Sequence, residues 1–294
     1  MWFQLICQTS QTGEALISEA AENMGAASVT LSDAGDVPVL EPLPNETPLW
    51  DDIIVTILFR EEDKPLADAL ERQLEENREA WQISKLHQEV LEEQVWERMW
   101  MKDFHPMCFG ERLWIYPSWS ETPDDDTVKI LLDPGLAFGT GTHPTTSLCL
   151  QWLDQNPPVG ASVIDYGCGS GILAIAAIKL GATHVQATDI DPQALTATHD
   201  NQEKNGIEDE QISACLPEDM PEIQADLMLA NILCGPLIEL SQTLCQMTKP
   251  GGMVVLSGVL AEQVPLLQEA YQAHCDDIQF AEQDGWVRMT AQVR

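Results

Sequence analysis

The chain has 294 residues, 44% of them hydrophobic, and 48 acidic residues against 14 basic ones give a formal charge of −34. That length and apolar content suit two domains with buried cores and argue against disorder as the main state. No stretch approaches the roughly 20 apolar residues of a membrane-spanning helix. The opening Met1-Trp2-Phe3-Gln4 lacks the basic segment and long apolar run of a secretory signal, so a cytoplasmic location is expected.

An acidic surface repels nucleic acid, whose recognition demands a basic patch. It favours a basic partner, and adaptation to a salty cell is a compatible alternative cause. None of the eight cysteines lies in a C-x-x-C pair, and the six histidines show no metal-ligand spacing. Reduced thiols and no metal are expected.

Taken in chain order, the pattern predicts a strand over 3–8. A helix over 13–24 follows, with Leu16, Ile17, Ala20, Ala21 and Met24 on one side, then a strand over 27–31. A loop carrying Pro38, Pro42, Pro44 and Pro48 leads to a β-branched strand over 53–59. A helix over 65–76, with Pro65 in its first turn, and a fourth strand over 81–86 complete the set. That order is the one found in a ferredoxin-like α+β domain. It carries no chemical motif, so residues 1–88 are expected to recognise a partner. Residues 89–103 read as a connecting helix, with Val95, Trp96, Met99 and Trp100 at the spacing of core packing; Pro106 closes it, making 89–105 a helical linker. A short strand over 113–116 and an acidic loop over 121–126 come next.

From residue 162 strands and helices alternate regularly, which predicts a doubly wound α/β sheet in a domain spanning 106–294. Strands are expected at 162–165, 184–189, 226–230 and 253–257, and helices at 172–180, 192–205, 236–247 and 262–273. Residues 277–283 and 286–292 read as a terminal antiparallel hairpin across Asp284-Gly285.

The chemistry gathers at four places. An apolar strand ends in Asp165-Tyr166-Gly167-Cys168-Gly169-Ser170-Gly171 before a helix. Such glycines let the backbone approach a ligand, and the helix start offers free N–H groups. The nicotinamide fingerprint is G-x-G-x-x-G/A, whereas Ile172 stands where its third small residue falls; this weakens an oxidoreductase reading. Asp189 ends the next strand, eighteen residues after Gly171, where a carboxylate accepts both ribose hydroxyls of an adenosine. Asp191 is a candidate helix cap. Asn231 ends a buried strand, where ligands of open α/β sheets bind; its other possible role is to cap the helix near Pro236. The glycine- and threonine-rich run 133–146 leads into a helix over 146–153; His143 has a catalytic alternative, but a structural role in the turn is expected.

The run 133–154, the 165–171 loop, Asp189 to Pro192 and Asn231-Ile232-Leu233 together resemble the bacterial methyltransferases of ribosomal protein eleven of the large subunit. Phe104-His105-Pro106 and Glu111-Arg112-Leu113-Trp114 extend the resemblance to nearly the whole chain. It implies a class I, Rossmann-like methyltransferase sheet with an antiparallel terminal hairpin and a small N-terminal domain that grips the ribosomal protein. It implies S-adenosyl-L-methionine as cofactor and methylation of lysine side chains and the terminal α-amine. By position, Thr146, Gly167, Asp189 and Asn231 match the family's cofactor-contacting residues, and Asn231 is the candidate catalytic residue that orients the amine. Cys234 departs from the smaller alanine frequent in relatives. Leu233 and Cys234 stand where many amine methyltransferases carry an aromatic residue, giving room for a substrate that grows from one methyl to three. A non-catalytic binding protein that has kept the fold is the remaining alternative; intact Gly167, Asp189 and Asn231 argue against it.

Overall fold

Alternate side chains of β1 (Trp2–Ser10) and β3 (Asp52–Arg60) point to one face, and Phe3, Leu5, Cys7, Ile53, Val55, Ile57 and Phe59 are buried there. Against them pack Ile17 and Ala21 of α1 (Gln11–Asn23) and Ala67, Leu70 and Leu74 of α2 (Lys64–Glu76). The molecule was analysed as a computed structural model that describes residues 2–35, 49–91, 105–133 and 141–294. The chain divides into two compact units, Met1–Trp100 and Met101–Arg294. With β2 (Ser28–Asp33) and β4 (Lys85–Leu91), the first unit forms an antiparallel sheet of order β2-β3-β1-β4.

The fourth strand departs from the expected 81–86. Trp81 still belongs to the turn after α2: its N–H donates to the Asn77 carbonyl, and its own carbonyl accepts from the Thr9 hydroxyl. Pairing with β1 then carries the strand through Glu89, Val90 and Leu91, opposite Gln4, Phe3 and Trp2. Those three residues complete a sheet rather than open a helix. The rest of the expected connecting helix, and the proline-rich loop over 38–48, lie outside the described residues.

The second unit begins with a three-stranded sheet of β5 (Met107–Phe109), β6 (Leu113–Tyr116) and β7 (Val128–Leu131). Only β6 was legible in the sequence. After α3 (Pro144–Gln155) the chain builds β8 (Ser162–Tyr166), α4 (Ile172–Lys179), β9 (His184–Thr188), α5 (Pro192–Lys204) and β10 (Ile212–Cys215). It continues through β11 (Ala225–Asn231), α6 (Cys234–Glu239), α7 (Ser241–Gln246), β12 (Thr248–Leu260), α8 (Val264–Tyr271), β13 (Cys275–Gln283) and β14 (Trp286–Val293). The sheet order is β10-β9-β8-β11-β12-β14-β13. Its first five strands run parallel, and β14 is antiparallel to both β12 and β13, so the expected terminal hairpin is present.

Strands buried on both faces need apolar residues at successive positions. In β11, Leu227 and Leu229 face a core that includes α3 and α4, while Met228 and Ala230 face one that includes α6, α7 and α8. Helix α4 is apolar all round, and Ile172 to Ile178 are all buried. The predicted helix over 236–247 is instead two helices meeting at Leu240. The Leu237 carbonyl, which a continuous helix would offer to residue 241, accepts the buried Tyr271 hydroxyl at 2.9 Å. Among the described residues no helix is long and apolar enough to cross a membrane.

Asp154, at the end of α3, ties the small sheet to the large one. Its carboxylate accepts the N–H groups of Glu111 at 2.7 Å and Arg112 at 3.3 Å, and the Arg112 guanidinium donates to its carbonyl at 2.8 Å. Its side chain is 3% exposed, so truncation leaves backbone donors without partners. Asp154→Ala is expected to lower stability by about 1.5–3 kcal/mol, the scale of hydrogen bonds to a charged group. Urea unfolding followed by tryptophan fluorescence checks this; an unchanged midpoint would contradict it.

Candidate functional site

The direction of winding reverses between β8 and β11. The chain moves outward from β8 to β9 and β10, then returns to add β11 and β12 on the other side. Loops leaving such a pair diverge and open a crevice at the carboxyl ends of the strands. Here the crevice is a cleft of about 350 Å³ whose lining includes Gly167, Asp189, Asn231 and Leu233. That volume falls within the roughly 300–1,000 Å³ of small-molecule sites. A larger hollow of about 570 Å³ lies at the opposite ends of the strands, beside Asp226 and Met253, and none of the glycines or of the four predicted site residues lines it.

The glycine loop has left-handed backbone at Gly167 (φ +79°) and Gly171 (φ +76°). A Cβ at residue 167 would overlap Cγ2 of Ile232, the residue after Asn231, so the two crevice loops touch where only glycine fits. The loop is held from several sides. The N–H groups of Gly167 and Cys168 both donate to the Thr188 carbonyl, at 2.8 and 3.0 Å. The Asn201 amide donates to the Ser170 carbonyl at 2.9 Å, and the Thr198 hydroxyl donates to that of Gly169 at 3.2 Å.

Asp189 binds the loop through its carboxylate. One oxygen accepts the Gly169 N–H at 2.9 Å and the other the Asp191 N–H at 3.0 Å. Each oxygen keeps a lone pair for a further donor. Asp191 caps α5 by accepting the Gln193 N–H at 2.9 Å, as its position suggested.

Asn231 does not cap the following helix, whose N-cap is Leu233. Its side-chain N–H instead donates to the Thr146 hydroxyl at 3.1 Å. Thr146 is fully buried in α3, so two of the predicted site residues, 85 positions apart, meet directly. The Asn231 side-chain oxygen is buried and has no hydrogen-bond partner among the described residues. His143 is the N-cap of α3, with its ring 4.8 Å from that of Trp286, and it does not line the cleft.

Several lining residues were not identified from the sequence: Tyr166, Ile190, Pro217, Pro236 and Leu240. Ile190 is 83% exposed and Leu233 53%. Large apolar residues left exposed directly after a strand-end carboxylate or amide are the signal that marks a ligand wall. Pro217 follows β10, a strand too short to be read. Burial pushes the Cys168 thiol up to about 12, which removes it as a nucleophile at neutral pH.

The geometry fits a nucleoside cofactor. Backbone can approach at Gly167, a carboxylate with spare lone pairs stands at the next strand end, and Asn231, whose buried amide oxygen has no hydrogen-bond partner among the described residues, lines the same cleft.

Asp165 sits beneath the loop, fully buried, accepting the Ala174 N–H at 3.0 Å. Burial pushes its carboxyl from 3.8 up to about 7, against the lowering effect of that bond. A carboxyl with a folded-state pKa above its unfolded value binds more protons when folded, so its contribution falls as pH rises between the two values. The stability of the wild type relative to Asp165→Asn should therefore decline from about pH 4 to about pH 7 and level off above it. Chemical denaturation across that range measures the difference; a pH-independent difference would contradict it.

Comparison with known proteins agrees with this architecture. The family model for ribosomal protein L11 methyltransferase (PrmA) matches residues 1–294. Proteins named ribosomal protein L11 methyltransferase from Marinobacter nauticus and Alteromonas mediterranea are 46% and 50% identical. The first match covers 98% of this chain and 97% of the relative, the second 92% and 91%. The crystal structure of the ribosomal protein L11 methylase from Lactobacillus delbrueckii subsp. bulgaricus superimposes with a TM-score of 0.59 at 34% identity, covering 65% of this chain and 100% of that one. Full-length family coverage, together with the reversed-winding crevice and its glycine loop, establishes that the chain belongs to the ribosomal protein L11 methyltransferase family.

Proposed function

We propose that this chain methylates lysine side chains and the N-terminal amine of ribosomal protein L11, with Asn231 aligning the amine. S-adenosylmethionine, when bound, supplies a methyl group already activated by its sulfonium. The work left to the protein is binding, orientation and exclusion of water. The observation that carries this reading is the Asn231 side chain, whose N–H is committed to Thr146 and whose oxygen has no partner. The oxygen of an amide fixed in that sense accepts, which suits an amine N–H and leaves the nitrogen lone pair free to point elsewhere.

Each remaining residue has a physical task. Gly167 lets backbone approach the cofactor, and Asp189 accepts its ribose hydroxyls through the lone pairs that Gly169 and Asp191 leave open. Thr146 serves the site from behind by fixing the Asn231 amide. Ile190, Leu233 and Leu240 offer apolar surface for a purine ring or an alkyl chain. The amine must lose its proton first, from a pKa of about 10.4 for lysine or about 8 for an α-amine. Desolvation in the cleft beside a cationic centre lowers either value. Alignment within such a cleft is worth up to roughly 7–11 kcal/mol in favourable cases.

The first unit then grips the ribosomal protein and the second carries catalysis. A net charge of −34 complements a basic protein substrate and disfavours direct nucleic-acid or membrane binding. The place of action is the cytoplasm, where that substrate is made.

Two variants separate binding from alignment. Asp189→Ala should weaken S-adenosylmethionine binding by about 1.5–3 kcal/mol in calorimetry. Asn231→Ala should reduce kcat on recombinant L11 by about a hundredfold, the cost of misplacing a reactant, with little change in cofactor affinity. Mass spectrometry of the product reads the methyl count. Equal losses of kcat and cofactor affinity in Asn231→Ala would mean that this residue holds the cofactor instead.

A further inference from the structure

We propose that Cys245 and Cys275 are an oxidative modification site, closing a reversible disulfide in the second unit. Cys245 lies in α7 and Cys275 opens β13, 30 positions later, yet their Sγ atoms are 3.6 Å apart and both are buried. Two sulfurs already in contact across 30 positions are the starting geometry for a disulfide. The site is reachable: Cys245 lines a solvent-open pocket of about 320 Å³ together with Gln242, Thr248, His274 and Arg294. A small thiol reagent fits such a volume.

The charge environment favours exchange. Arg294 is anchored by Asp276 at 2.9 Å and by the Ala273 carbonyl at 3.0 Å. Cys275 is held below the usual thiol range, chiefly by its hydrogen bond with Cys245 and further by the Arg294 guanidinium, against the opposing effect of burial. Cys149, by contrast, is pushed up to about 12 by burial. Thiolate character and access select which cysteines react.

The oxidant is a low-molecular-weight disulfide. Cys275, the sulfur with more thiolate character, forms a mixed disulfide with one of the reagent's sulfurs, and the other leaves as a small thiol carrying the Cys275 proton. Cys245 then displaces the second small thiol, which leaves with the Cys245 proton, and the Cys245–Cys275 bond forms. One S–S bond breaks and one forms. Two electrons pass from the protein sulfurs to the reagent. The closed loop restrains the unfolded chain and fixes α7 to β13 on the side of the sheet that carries α6 and Tyr271.

Incubation of the full chain with glutathione disulfide, alkylation of remaining thiols and peptide mapping test this. The expected product is a peptide cross-linked between Cys245 and Cys275, a thiol count lower by two, a raised melting temperature, and reversal of all three by dithiothreitol. Cys275→Ser should lose the cross-link, and Cys108→Ser, which removes an exposed thiol, should keep it. The mapping on wild-type protein stands even where a variant fails to fold. Both cysteines remaining alkylatable, a stable glutathione adduct on either, or cross-linking of either to a different cysteine would overturn the proposal.

Discussion

Two loops leave neighbouring parallel strands in opposite directions, and where they pass each other there is room for only one side chain. Ile232 takes that room, which is why residue 167 carries none. The contact sets the floor of the cleft and fixes the distance between its two working sides, the glycine loop at the end of β8 and Asn231 at the end of β11. The same tightness recurs on the far side of Ile232, where a Cβ at Gly258 would overlap its carbonyl oxygen. The segment after Asn231 is therefore held between two glycines, and the amide that precedes it inherits that rigidity. A site that acts by alignment depends on such preorganisation more than on reactive groups.

The surrounding hydrogen bonds extend the same logic. Asp189, Asp165, Thr198 and Asn201 each spend a polar atom on the backbone of the glycine loop or of the helix it starts. None is a nucleophile or needs to be one. Helix α3, which His143 caps, contributes Thr146 at one end and Asp154 at the other, so one element orients the Asn231 amide and secures the small sheet. In the proposed function the acidic surface acts on a longer range, by an attraction for a basic substrate that salt screens over roughly 8 Å at physiological ionic strength.

The site was more legible in the sequence than its setting. Gly167 and Asp189 directly follow strands and Asn231 ends one, and a strand-end glycine, carboxylate or amide in an alternating α/β pattern has few structural uses. The β11 strand read cleanly because both of its faces are buried. The pairing of Asn231 with Thr146 was not legible, since a contact across 85 positions leaves no local pattern. Strands β5, β7 and β10 have three or four residues each, too few to show a period. The break at Leu240 coincides with a hydrogen bond from Tyr271, a residue of another helix, and the shift of β4 with its register against β1. In each of these cases tertiary contact overrode a reasonable local preference.

The central claim is that the crevice between β8 and β11 receives the cofactor beside Asn231. Amide hydrogen exchange of the unmodified chain, with and without saturating S-adenosylmethionine, tests it most directly because protection reports which backbone becomes ordered. The account predicts slowed exchange over 167–171, 189–191 and 231–233 together. Protection confined to the hollow beside Asp226 and Met253 at the other end of the sheet, or none in those three segments at saturation, would contradict it.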